Sequence, residues 1–81
     1  MTTKRDIGRW LIEALRKGCT HLVVGSDHFD YEDYPVYIMP GMSAQAEVTR
    51  IQRQEMSSVR EVYNLSMDID AQLKEHRAWH I

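Results

Sequence analysis

Ile7, Trp10, Leu11, Ala14 and Leu15 fall at i, i+3, i+4, i+7 and i+8, the spacing of one helical face. This pattern predicts an amphipathic helix over residues 4–17. Thr3 and Asp6 resemble a capping box at its start, where hydroxyl and carboxylate satisfy free backbone N–H groups. Arg16 and Lys17 complement the dipole of the last turn, and Gly18 supplies a left-handed stop. Thr20-His21-Leu22-Val23-Val24 is too short for a helix and too apolar for a loop, which predicts a buried strand. Pro35 opens a second strand, Val36-Tyr37-Ile38-Met39, and Pro40-Gly41 ends it. The two strands are expected to pair antiparallel through a long polar-aromatic loop.

Ser43 is an N-cap for a second helix, across which Ala44, Val48 and Ile51 are helically spaced. The stretch from Met56 to Met67 admits two readings. One long helix would carry Glu55 in its apolar seam. A strand uses the alternation Val59, Glu61, Tyr63, Leu65, after a natural break at Ser57-Ser58. Val and Tyr favour the pleated form, so a strand is expected at 59–66. Asp68 then caps a last helix that places Ile69, Leu73 and His76 on one face, with Arg77 and His80 toward its C-terminal end. The order is α-β-β-α-β-α. It predicts a single α+β domain over 1–81, a three-stranded antiparallel sheet covered by helices, with the helices packed on one face. Trp10, Leu11, Leu15, Val23, Ile38, Val62 and Leu73 form the expected core.

Composition narrows the class. A chain of 81 residues is one domain, and 43% hydrophobic residues is too many for a disordered chain. The single Cys19 has no partner for an intrachain disulfide. Twelve acidic against ten basic residues, a net charge of −2, lacks the basic excess of a general nucleic-acid binder. No run approaches the roughly 20 apolar residues of a membrane span. Arg9, Glu13 and Arg16 interrupt any signal-peptide core. A cytoplasmic protein, free of membrane and of nucleic acid, is the expectation. Three strands and a modest core leave sheet edges open, which points to a homodimer.

The run Thr20-His21-Leu22-Val23-Val24 through Asp27-His28-Phe29-Asp30-Tyr31-Glu32-Asp33-Tyr34-Pro35-Val36-Tyr37 is one distinctive block. Glu61-Val62-Tyr63-Asn64-Leu65-Ser66-Met67-Asp68, followed by Gln72-Leu73-Lys74-Glu75-His76-Arg77-Ala78, is another. Together they resemble a family of short uncharacterised proteins of bacteriophages and prophage-bearing bacteria. The resemblance implies a phage-related setting, in which many small folded proteins act by binding a host component. It also favours the strand at 59–66. It assigns no catalytic or binding residue.

The candidate chemistry concentrates in Asp27, His28, Phe29, Asp30, Tyr31, Glu32, Asp33 and Tyr34, which bring four carboxylates, one imidazole and three rings into eight residues. Rings supply rigid contact area and carboxylates select a basic patch, so this segment is the expected partner-binding surface. A solvated hairpin loop would show the same acids. The spacing of Asp27, Asp30, Glu32 and Asp33 is not that of an EF-hand and lacks its glycine. His76 and His80 stand i, i+4 on the expected last helix, without a third zinc ligand or an H-E-x-x-H arrangement. Cys19 with His21 or His28 lacks an orienting residue. No cofactor and no metal is assigned. The leading expectation is a non-enzymatic protein that binds a host protein, such as an anti-CRISPR or other anti-defence inhibitor. One alternative is a nucleotide-signal sponge, with Trp10, Tyr31, Tyr34, Tyr37 and Tyr63 lining a pocket between subunits. The other is a divalent-metal-dependent enzyme built on the loop acids.

Overall fold

The computed structural model describes residues 2–81. Helix α1 spans Lys4–Lys17. Thr3 Oγ1 accepts from the Asp6 N–H while the Asp6 carboxylate accepts from the Thr3 N–H, so the capping box is complete. Gly18 ends the helix at φ +75°, a left-handed conformation that glycine adopts without strain. Strand β1, His21–Asp27, is the centre of an antiparallel sheet. It pairs on one side with β2, Glu32–Ile38, and on the other with β3, Ser57–Asn64. The strand alternative for the ambiguous stretch is therefore the one adopted. Helix α2, Ala44–Arg53, bridges β2 and β3, capped by the Ser43 hydroxyl. Helix α3 is Ile69–Leu73. The order is α-β-β-α-β-α, an α+β fold with a three-stranded antiparallel sheet covered by helices.

The expectation of helices on one face is corrected. Leu22 and Val24 pack with Ile7, Leu11 and Ala14 of α1, whereas Val23 packs with Val48 and Ile51 of α2. The cause lies in β1 itself. Consecutive apolar residues leave a strand no polar face, so both faces must be covered. Leu11, Val23, Ile38 and Val62 are buried as expected, while Trp10 and Leu73 are half-buried. Leu15 stands 53% exposed, against expectation. Outer strand axes about 10 Å apart offer a sheet no wider than a helix, so α1 buries Ile7, Leu11 and Ala14 and leaves its flank out.

A bulge phases β3. Val24 pairs with Glu61 and Gly25 with Val59, so Arg60 is an extra residue. Val59 thereby joins Val62 on the α2 face, while Glu61 and Tyr63 turn toward α1. Glu61 is buried with its charge fully engaged. Its carboxylate accepts from Lys4 Nζ at 3.1 Å, Tyr63 OH at 2.6 Å and the Ala78 N–H at 3.2 Å. Burial first, then the hydrogen bond to Glu61 and its charge, hold the Tyr63 phenol proton far above its usual range.

The last helix is shorter than expected: it stops at Leu73, and the chain beyond it serves the outer edge of β3. The buried Gln72 amide donates to Asn64 O at 2.9 Å and accepts from the Asn64 N–H at 2.8 Å, as a neighbouring strand would. Val62 N–H donates to Ala78 O and His80 N–H to Val62 O, a short parallel bridge. Arg77 donates to Arg60 O at 2.7 Å and Val59 O at 3.2 Å. Buried or edge backbone groups need partners, and an unpaired strand edge attracts them. The homodimer expectation counted on open edges. One is closed within the chain, and the other, β2, carries Pro35. No helix among the described residues is long and apolar enough to cross a membrane.

Replacing Glu61 by Ala leaves Tyr63 OH and the Ala78 N–H without acceptors in the interior. We expect a loss of about 2–4 kcal/mol in denaturant unfolding, with Lys4→Met costing less because that side chain is part-exposed.

Candidate functional site

The polar-aromatic segment is not a long loop. Asp27 pairs directly with Glu32, so Asp27 closes β1, Glu32, Asp33 and Tyr34 belong to β2, and only residues 28–31 turn. The strands run on because their cross-strand pairing continues past the residues whose composition suggests a loop. Two side-chain contacts hold the turn. Asp27 Oδ1 accepts from the Phe29 N–H at 2.8 Å, and His28 Nε2 meets Ser58 Oγ at 2.8 Å. The His28 N–H donates to Met56 O at 2.6 Å, which ties the hairpin tip to the turn before β3.

The tip presents its rings outward. Phe29 is 76% exposed and Tyr31 86%. Tyr31 adopts φ +58°, a left-handed conformation that disfavours a residue with Cβ by about 1–2 kcal/mol. Met56 is also left-handed and exposed, at the turn the hairpin touches. Sequence reasoning did not include Met56, because only the backbone bond from His28 brings it there. Tyr34 has a different place. Its ring lies across Gly25, where a Cβ would stand 2.6 Å away, so Gly25 is the seat of a packed ring.

The four carboxylates do not converge. Asp27 caps the turn, Asp30 and Glu32 are exposed, and Asp33 turns to Arg60 at 3.7 Å. Among the described residues, no three His, Cys, Asp or Glu side chains gather as metal ligands. His76 and His80 do not share a helix, since both follow α3, and His80 Nε2 lies 2.9 Å from the Glu75 carboxylate. The five rings of the sponge alternative are dispersed within the chain. Tyr63 is sealed in the core, Trp10 and Tyr37 pack beside it, Tyr34 covers Gly25 and Tyr31 stands at the tip.

Cys19 is buried, and its Sγ lies 3.5 Å from Met39 Sδ. Burial pushes the thiol up, away from the reactive thiolate. His21 Nδ1 meets Thr20 Oγ1 at 3.0 Å, and His28 sits at the other end of β1. Neither imidazole therefore forms a nucleophile–base bond with Cys19.

The His21 Nε2 atom is buried without a hydrogen-bond partner among the described residues. Burial holds this imidazole below the ordinary value of 6.5, favouring the neutral form. The unfolded chain then binds more protons than the folded one below that value. Stability should fall as pH drops from 7 toward 5, until the folded imidazole is itself protonated. Thermal melts across this range should show a shallower fall in His21→Leu; equal slopes in both proteins would refute the assignment.

No family model, curated protein or solved structure matches the chain.

Proposed function

We propose that this chain is a non-enzymatic binding protein whose β1–β2 hairpin tip docks on a basic patch of another protein. The observation that carries the reading is the exposure of Phe29 and Tyr31 on a turn whose first half is tied down by Asp27 and His28. Exposed large rings on a braced scaffold lose little entropy on binding, and they are the residue types that dominate interface energy. Backbone strain at Tyr31 without a compensating internal contact for the ring is the kind that persists for function. The exposed Asp30 and Glu32 flank the rings and select a cationic partner by steering. The resemblance to short phage proteins supports a host protein as that partner, and inhibition of a host system such as CRISPR or another defence as the outcome.

Asp33 is left out of the charge set because it pairs with Arg60. Two variants separate anchors from steering. Phe29→Ala with Tyr31→Asn should leave the thermal midpoint within a few degrees, since Asn tolerates the left-handed position. It should abolish capture of the partner from a bacterial lysate. Asp30→Asn with Glu32→Gln should weaken capture and flatten its salt dependence. Capture that survives both pairs of substitutions, or that never rises above an unrelated bait, would refute this function.

A further inference from the structure

A cleft of about 450 Å³ opens on the α1 face of the sheet, at the start of α1. Ile7 and Val24 give it an apolar floor, and Lys4, Arg60, His76 and Arg77 line its rim along with Asp33 and Glu61. Its volume falls in the range of small-molecule sites. The charges are unequally engaged. Glu61 is saturated by Lys4, Tyr63 and Ala78, which also uses up Lys4. The Arg60 side chain is 62% exposed and pairs with Asp33 at 3.7 Å, a loose contact that leaves guanidinium donors over.

Arg77 is the unusual group. Its guanidinium is fixed by the Val59 and Arg60 carbonyls and lies 4.5 Å over the Trp79 ring. Among the described residues it meets no carboxylate. A guanidinium has five N–H donors in a rigid fork, so donors remain after these two bonds. The bulge at Arg60 and the tail at Arg77 bring two arginines to the lining of one cleft.

We propose that this cleft binds a small organic phosphate, its phosphate group held by Arg77 and Arg60 and its apolar body resting on Ile7 and Val24. The site is separate from the hairpin tip, and either can stand without the other. Amide NMR titrations at constant ionic strength test it, with phenyl phosphate, inorganic phosphate and benzoate as probes. Phenyl phosphate should give saturable shifts at Lys4, Glu61 and Ala78, and bind more tightly than inorganic phosphate. Arg77→Gln should weaken it about tenfold, the effect of losing one charge-assisted bond. Arg60→Gln, at an exposed side chain, should weaken it about threefold or more and carries the decision should Arg77→Gln fail to fold. Arg53→Gln on α2 should change nothing. Shifts that do not saturate, or that survive the Arg60 and Arg77 substitutions, would overturn the site. Benzoate binding as tightly as phenyl phosphate would overturn the choice of phosphate.

Discussion

A buried carboxylate must find donors, and in this chain Glu61 finds them in three separate parts of the sequence. Lys4 comes from the first turn of α1, Tyr63 from β3 itself, and the Ala78 N–H from the C-terminal tail. An uncompensated charge in that position would be strongly destabilising, so the burial of Glu61 depends on these donors. The bulge at Arg60 is what points Glu61 at them, because an unbroken alternation would leave Val59 and Glu61 on one face. One irregular residue thus lets β3 supply valines to α2 and a polar junction to α1.

The same junction fixes the tail, and the tail closes the β3 edge of the sheet. With Ala78 held by Glu61, Trp79 lies beside Val62 and Arg77 reaches the carbonyls of Val59 and Arg60. Gln72 completes the edge at Asn64. What remains open is the β2 edge and the hairpin end of the sheet. There the β1–β2 hairpin carries its outward rings, and the α1 face offers the cationic cleft. Both candidate surfaces therefore sit where Asp27, Glu32 and Ser57 end their strands, away from the end where His21 meets Ile38 and Asn64.

Local signals were readable wherever the physics is local. Thr3, Asp6 and Gly18 delimit α1 through bonds within one turn, and Ser43 and Asp68 do the same for α2 and α3. β-Branched and aromatic residues after Ser57-Ser58 were enough to choose a strand. The misses share a cause, a partner distant in sequence. α3 stops at Leu73 because residues 78–80 pair with Val62, and nothing near His76 announces that. Composition marked residues 27–34 as loop, whereas the register of β1 against β2 extends the strands through Asp27 and Glu32. The hairpin was located correctly as a segment, but not the strain at Tyr31, the arrival of Met56 or the packing of Tyr34 over Gly25. Arg60 and Arg77 carry no motif, and only the bulge and the tail bring them to one cleft.

Hydrogen exchange of single amides tests the role of Glu61 most directly. Ala78 donates to Glu61, Val62 to Ala78 O and His80 to Val62 O. In the intact protein these three amides should exchange nearly as slowly as the Val23 amide of the central strand, through unfolding of the whole domain. In Glu61→Ala the Ala78 and His80 amides should lose most of that protection while Val23 keeps its rank as the slowest. Ala78 and His80 exchanging at the rate of an unstructured peptide in the intact protein would contradict the account.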